Sequence, residues 1–118
     1  MEKIFVNCSN THTNKWPQDR LDAALELVNG GEIVNIGCPI LPPEATAKEV
    51  YEKAEAIAEK IISYNPSVVF CQGELTVCFR IVEILKQNNI KVVGLCNKRV
   101  VSENGTITGF QFVQFREY

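Results

Sequence analysis

Val68-Val69-Phe70-Cys71-Gln72-Gly73-Glu74 is an apolar run that stops in a short polar turn and passes into a helical pattern at Leu75. A run of β-branched and aromatic residues closed by a glycine, with a helix directly behind it, reads as the strand-to-helix corner of an α/β sheet. Three other runs break in the same way. Ile4-Phe5-Val6 gives way to Asn7-Cys8-Ser9-Asn10, Ile33-Val34-Asn35-Ile36 to Gly37-Cys38-Pro39, and Val92-Val93-Gly94-Leu95 to Cys96-Asn97-Lys98-Arg99. If these are parallel strands of one sheet, all the polar clusters share its carboxyl edge. Open α/β sheets bind ligands at that edge, where the strand order reverses.

The intervening segments supply the helices. Pro17 suits a first helical turn, and Leu21, Ala24, Leu25 and Val28 then recur at helical spacing until Asn29-Gly30-Gly31 ends the pattern. Pro39-Ile40-Leu41-Pro42-Pro43 is an extended loop, since prolines suit neither a helix interior nor a central strand. Thr46-Ala47-Lys48-Glu49 is a capping box, opening a helix with Val50, Ala54, Ile57 and Ile61 on its core face and stopping at Asn65-Pro66. The third helix, from Leu75 to Gln87, is apolar nearly all round, which predicts burial on more than one side. A homodimer through this helix would supply the extra cover, twofold dimers being the commonest oligomers. Asn104-Gly105 marks a hairpin turn before a final strand over Thr106–Phe115. The expected architecture is α/β: a single domain over residues 1–118 with a mainly parallel sheet of order 2-1-3-4, flanked by helices, and a C-terminal β-hairpin.

A chain of 118 residues with a net charge of −2 carries no global basic field for a long nucleic acid, although a local basic group can hold a small anion. The apolar part of Met1–Val6 is too short for a signal peptide, and no stretch approaches a membrane span, so a cytoplasmic protein is expected. The five cysteines are odd in number and contain no Cys-x-x-Cys pair, which favours reduced thiols. Cys8, Cys38, Cys71 and Cys96 each sit at a presumed strand end. Four thiolates could make a tetrahedral zinc site. Strand ends in one sheet, however, spread over roughly 15 Å at about 4.8 Å per step, so packing is the preferred reading and no metal is expected.

At the presumed edge, the loop Ser9, Asn10, Thr11, Thr13 and Asn14 is dense in short hydrogen-bonding side chains, which can hold a ligand or merely cap their own backbone. His12, the only histidine, is the candidate acid, base or stacking group, with plain surface as the alternative. Lys15 could meet phosphate, and Trp16 could stack on a base or staple the first helix. Gly73 precedes a helix start, where backbone N–H groups attract anions, with Gln72, Glu74 and Thr76 on either side. Asn97, Lys98 and Arg99 form the basic end of the fourth run. Arg99 could hold phosphate bidentately or stabilise charge developing there, or the pair could be a solvated opening to the hairpin. There is no Walker loop, Gly-x-Gly-x-x-Gly, Gly-x-Ser-x-Gly or metal-ligand cluster, so no cofactor is implied.

An Asn/Ser-rich loop after the first strand, a Gly-Glu turn after the third and a basic residue after the fourth resemble the CRISPR-associated Rossmann-fold (CARF) sensors. The likeness is greatest to the small stand-alone members found near type III CRISPR systems. It implies a Rossmann-like domain whose dimer binds cyclic oligoadenylate, most readily the tetra-adenylate ring, across the twofold. Such a dimer would sequester the ring or cleave it as a metal-independent ring nuclease and so damp type III CRISPR signalling. Under the resemblance Asn7, Ser9 and Asn10 contact backbone and bases, Gly73 and Glu74 line the ring, and Lys98 or Arg99 meets its phosphates. Glu74 departs from what a polyanion prefers, unless it bonds a base or a ribose hydroxyl. Two other readings stay open: a nucleotide- or nucleoside-processing enzyme using His12 or Glu74, and an interaction module docking through the third helix.

Overall fold

The computed structural model describes residues 2–118. Its elements are β1 (Ile4–Cys8), α1 (Gln18–Leu27), β2 (Glu32–Ile36), α2 (Ala47–Ser63), β3 (Val68–Cys71), α3 (Leu75–Gln87), β4 (Lys91–Val101) and β5 (Ile107–Glu117), with one 3-10 turn at Thr13–Lys15. The strands form one mixed sheet of order β2-β1-β3-β4-β5. β1 pairs in parallel with β2 and β3, β3 pairs in parallel with β4, and β5 runs antiparallel to β4. The reversal of order falls at β1 and β3, where Cys8 is level with Ile36 on one side and Cys71 on the other.

The helix boundaries follow local chemistry. Thr46 accepts a hydrogen bond from the Glu49 N–H, and the Glu49 carboxylate accepts one from the Thr46 N–H, so the expected capping box opens α2. Each α-helix is followed closely by an asparagine in the left-handed region: Asn29 (φ 52°), Asn65 (φ 50°) and Asn89 (φ 59°). Short polar side chains tolerate that conformation better than others do.

Apolar residues on opposite sides of the sheet build two cores. One joins Val6, Cys8, Val69, Cys71 and Val92 to α2 (Ala54, Ala58, Ile61) and α3 (Val77, Ile81, Leu85). The other joins Phe5, Val68, Phe70 and Val93 to Trp16 and to Ala24 and Val28 of the α1 segment. Phe115 of β5 completes the second core, with ring centroids 5.7 Å from Phe5, 6.1 Å from Trp16 and 5.5 Å from Phe70.

One expectation is corrected. The fourth apolar run does not end at Cys96: β4 continues for 11 residues to Val101 and pairs with β5 across two register shifts. Only Lys91–Val93 of β4 pairs with β3; Leu95 and its partner Phe115 still pack on the second core, and beyond Cys96 the two strands project as a two-stranded ribbon. The Cα radius of gyration, 15.3 Å, accordingly exceeds the roughly 13–14 Å of a compact domain of this length. α3 is buried on more than one side, as its sequence predicts, by the sheet and a neighbouring helix. It lies beside α2, which covers part of the apolar surface that the sequence leaves for a partner. Leu75 and Phe79 remain outside, 83% and 60% exposed.

Candidate functional site

The loop leaving β1 folds on itself. Asn7, only 1% exposed, donates from Nδ2 to the Thr11 carbonyl (2.9 Å) and to Asn35 Oδ1 (2.8 Å). Its Oδ1 accepts from Ser9 Oγ at 2.7 Å. Asn35 Oδ1 also accepts from the Thr13 N–H (3.1 Å), and its Nδ2 donates to Thr13 Oγ1 (3.0 Å). Trp16 Nε1 donates to the same Thr11 carbonyl at 3.2 Å. Buried polar groups need such partners, and here Asn7 and Ser9 find them within the chain, leaving the outer loop residues to face solvent. Asn35, level with Asn7 in the register, is the residue that sequence reasoning missed. Its signal was an asparagine set inside the apolar run Ile33–Ile36.

Asn10, Thr11, His12 and Lys15 are exposed on that loop. His12 opens the 3-10 turn, its Nδ1 accepting from the Asn14 N–H at 3.0 Å, so Nε2 is the ring nitrogen left for other work. Asn10 reaches the end of β2, where a side chain on Gly37 would meet its Oδ1 at 3.6 Å. The loops after β1 and β2 therefore touch at the edge.

The turn after β3 is shaped by packing. A β-carbon on Gly73 would lie 2.5 Å from Cys38 Sγ and 3.2 Å from its Cβ, so the glycine admits the loop after β2. Glu74 is the N-cap of α3: its carboxylate accepts from the Thr76 N–H (2.7 Å), the Val77 N–H (3.3 Å) and the Thr76 hydroxyl. Hydrogen bonds from the Thr76 hydroxyl, and then from its backbone, hold the Glu74 carboxyl below its ordinary pKa. This carboxylate occupies the position at the helix start that a phosphate would otherwise take. Gln72 is exposed, with its backbone N–H bound to the Cys8 carbonyl at 3.1 Å. Beside the turn, a groove of about 440 Å³ opens among Ala45, Val50, Leu75, Thr76, Phe79 and Arg80. The Arg80 guanidinium lies 5.6 Å from the ring centroids of both Tyr51 and Phe79.

Asn97, Lys98 and Arg99 stand on the ribbon, exposed and paired with Phe112, Gln111 and Phe110 of β5. Phe70 is level with Val93, so Arg99, six residues further along β4, sits about 20 Å beyond that level at about 3.3 Å per residue. The basic pair thus stands above the edge instead of lining it, and the chain does not place Arg99 beside the Gly73 turn. A family model described as the uncharacterized protein MJ1673 family matches residues 3–116.

The chain belongs to the MJ1673 family. No curated protein matches it. What this MJ1673-family chain offers at its edge is an exposed polar rim (Asn10, Thr11, His12, Gln72, Glu74, Thr76), an apolar groove beside it, and two cations on a ribbon above it.

The cysteines assemble differently from expectation. Cys8 and Cys71 are register partners. Cys38 folds back against Cys8, and the next contact is Cys78 of α3, with Cys71 Sγ and Cys78 Sγ 3.4 Å apart. Cys96 lies apart on β4, so α3 supplies the fourth thiol. The spreading of strand ends does not separate these thiols, because two stand on neighbouring strands at one level and two reach in from a loop and a helix. Among the described residues no group of three or more His, Cys, Asp or Glu is placed to hold a metal ion, and no helix is long and apolar enough to cross a membrane.

Proposed function

We propose that this protein is a Rossmann-like, cytoplasmic binder of a cyclic oligoadenylate, most readily the tetra-adenylate ring, acting as a homodimer that sequesters the messenger in type III CRISPR signalling. The observation that carries the reading is the position of the exposed Leu75 and Phe79 at the start of α3, immediately after the polar Gln72–Glu74 turn. If two copies meet on these residues, two polar rims and two apolar grooves face one central ring. Adenines find apolar and aromatic surface at Phe79, the rim supplies hydrogen bonds, and Arg80, Lys98 and Arg99 supply positive charge for the phosphates.

Sequestration is favoured over cleavage. Ring cleavage would have a ribose 2′-hydroxyl lose its proton, attack the adjacent phosphorus and expel the 5′-oxygen. It needs alignment, a proton donor to the leaving oxygen such as His12 Nε2–H (Nδ1 being the ring's acceptor) and a cation such as Arg99 at one phosphate. His12 lies on the edge and Arg99 on the ribbon.

Labelled cyclic tetra-adenylate tests the whole reading. Tight retention without linear products supports sequestration, linear products abolished by His12→Ala and Arg99→Ala support a ring nuclease, and no binding overturns both. Arg99→Ala should weaken binding about tenfold, the worth of one charge-assisted contact of about 1.5 kcal/mol. Phe79→Asp should dissociate the dimer and lower affinity with it.

A further inference from the structure

We propose that Cys71 and Cys78 are a modification site that forms a reversible disulfide when the protein meets hydrogen peroxide. The two sulfurs are already 3.4 Å apart, and a disulfide closes to about 2.05 Å. One thiol ends β3 and the other stands in the first turn of α3, so the approach needs only a small movement of the short Gln72–Glu74 connection.

The surroundings distinguish this pair from the other thiols. Hydrogen bonds from Cys38 and then Cys71 push the Cys8 thiol down furthest, to about 4, but Cys8 is fully covered (0% exposed) and out of reach of peroxide. Cys78, at 8%, is the most accessible residue of the four clustered cysteines. Its hydrogen bond with Cys71 brings its pKa down to about 7, against the opposing effect of burial. A good part of Cys78 is thus thiolate at neutral pH, which is the attacking form. Cys71, hydrogen-bonded to both Cys78 and Cys8, is pushed the other way and stays protonated. Tyr118 sits over this end of the cluster, its hydroxyl donating to the Cys71 carbonyl at 3.4 Å and bonding Cys78.

The Cys78 thiolate attacks one peroxide oxygen and breaks the O–O bond, giving a sulfenic acid and hydroxide, which takes up the proton released earlier to become water. The Cys71 thiol then displaces the sulfenic hydroxyl, forming the S–S bond and releasing a second water. Two thiols and one peroxide yield one disulfide and two waters, and an external dithiol reverses the change.

Reduced full-length protein treated with hydrogen peroxide, alkylated and peptide-mapped by mass spectrometry decides the matter. The expected result is an intact mass lower by two hydrogens, a linked peptide joining Cys71 to Cys78, and recovery of both thiols with dithiothreitol. Cys78→Ser should abolish the link and Cys96→Ser should leave it intact. Should Cys78→Ser fail to fold, the wild-type map decides alone. The proposal is overturned if Cys71 and Cys78 stay alkylatable while Cys96 reacts. It is equally overturned if the link joins another pair, or if either thiol passes irreversibly to sulfinic acid without a link.

Discussion

Asn7 is a buried amide whose Nδ2 and Oδ1 both bond neighbouring groups, and these bonds tie the first loop to β1 and β2. Asn7→Ala would strand Ser9 Oγ, Asn35 and the Thr11 carbonyl, at a cost of roughly 2 kcal/mol measurable by urea denaturation. Glu74 acts through charge at an exposed position. Its folded pKa lies below the unfolded value, so its contribution is full above about pH 4.3 and fades as pH falls through the folded value. Glu74→Gln should therefore lower stability at pH 7 and flatten the acid limb of the stability curve, with wild type and variant converging at low pH. At this scale the sequence was only partly legible. It marked the loop as polar, but whether Asn7 and Ser9 faced a ligand or each other depended on Asn35, a residue 28 positions away from Asn7.

Gly73 and Cys38 link two elements by steric fit. Gly73→Ala should cost about 1–3 kcal/mol, because its β-carbon meets Cys38 and either the turn or the loop must move. The added substitution Cys38→Ala should recover part of that loss, a coupling that a double-mutant cycle with denaturation midpoints would read out. Elements declared by local signals were legible: the capping box of α2, the asparagine stops and the Asn104-Gly105 turn all lie where local chemistry puts them. β4 was less so. Asn97-Lys98-Arg99 looks like a strand end because it is polar, yet a ribbon open to solvent on its faces tolerates polar residues, so polarity there does not distinguish strand from loop. The all-round apolarity of α3 was likewise ambiguous, since a neighbouring helix and a second subunit would leave the same pattern.

The molecule divides into a layered body and a projecting ribbon. No residue from Asn97 to Gln111 belongs to either core. Replacing residues 98–111 with an Asn-Gly turn should therefore keep a cooperative unfolding transition within about 1 kcal/mol of wild type, since surface changes away from a core cost little. Under the proposed function the same deletion should abolish binding of the cyclic nucleotide. Far-UV circular dichroism with denaturation, alongside the binding assay, separates the two effects. The order of strands was legible from chain connectivity, whereas the meeting of four thiols was not, because Cys78 reaches the cluster only through the way α3 packs.

Phe115 carries a consequence for a chain that is only partly folded. The core under α2 and α3 uses nothing beyond Val92. That side can close before β5 has docked. The opposite side cannot: Phe5, Trp16 and Phe70 lack their fourth ring until Phe115 arrives. A chain whose β5 is late or detached thus has one finished side and one adhesive aromatic patch, the surface a chaperone would find.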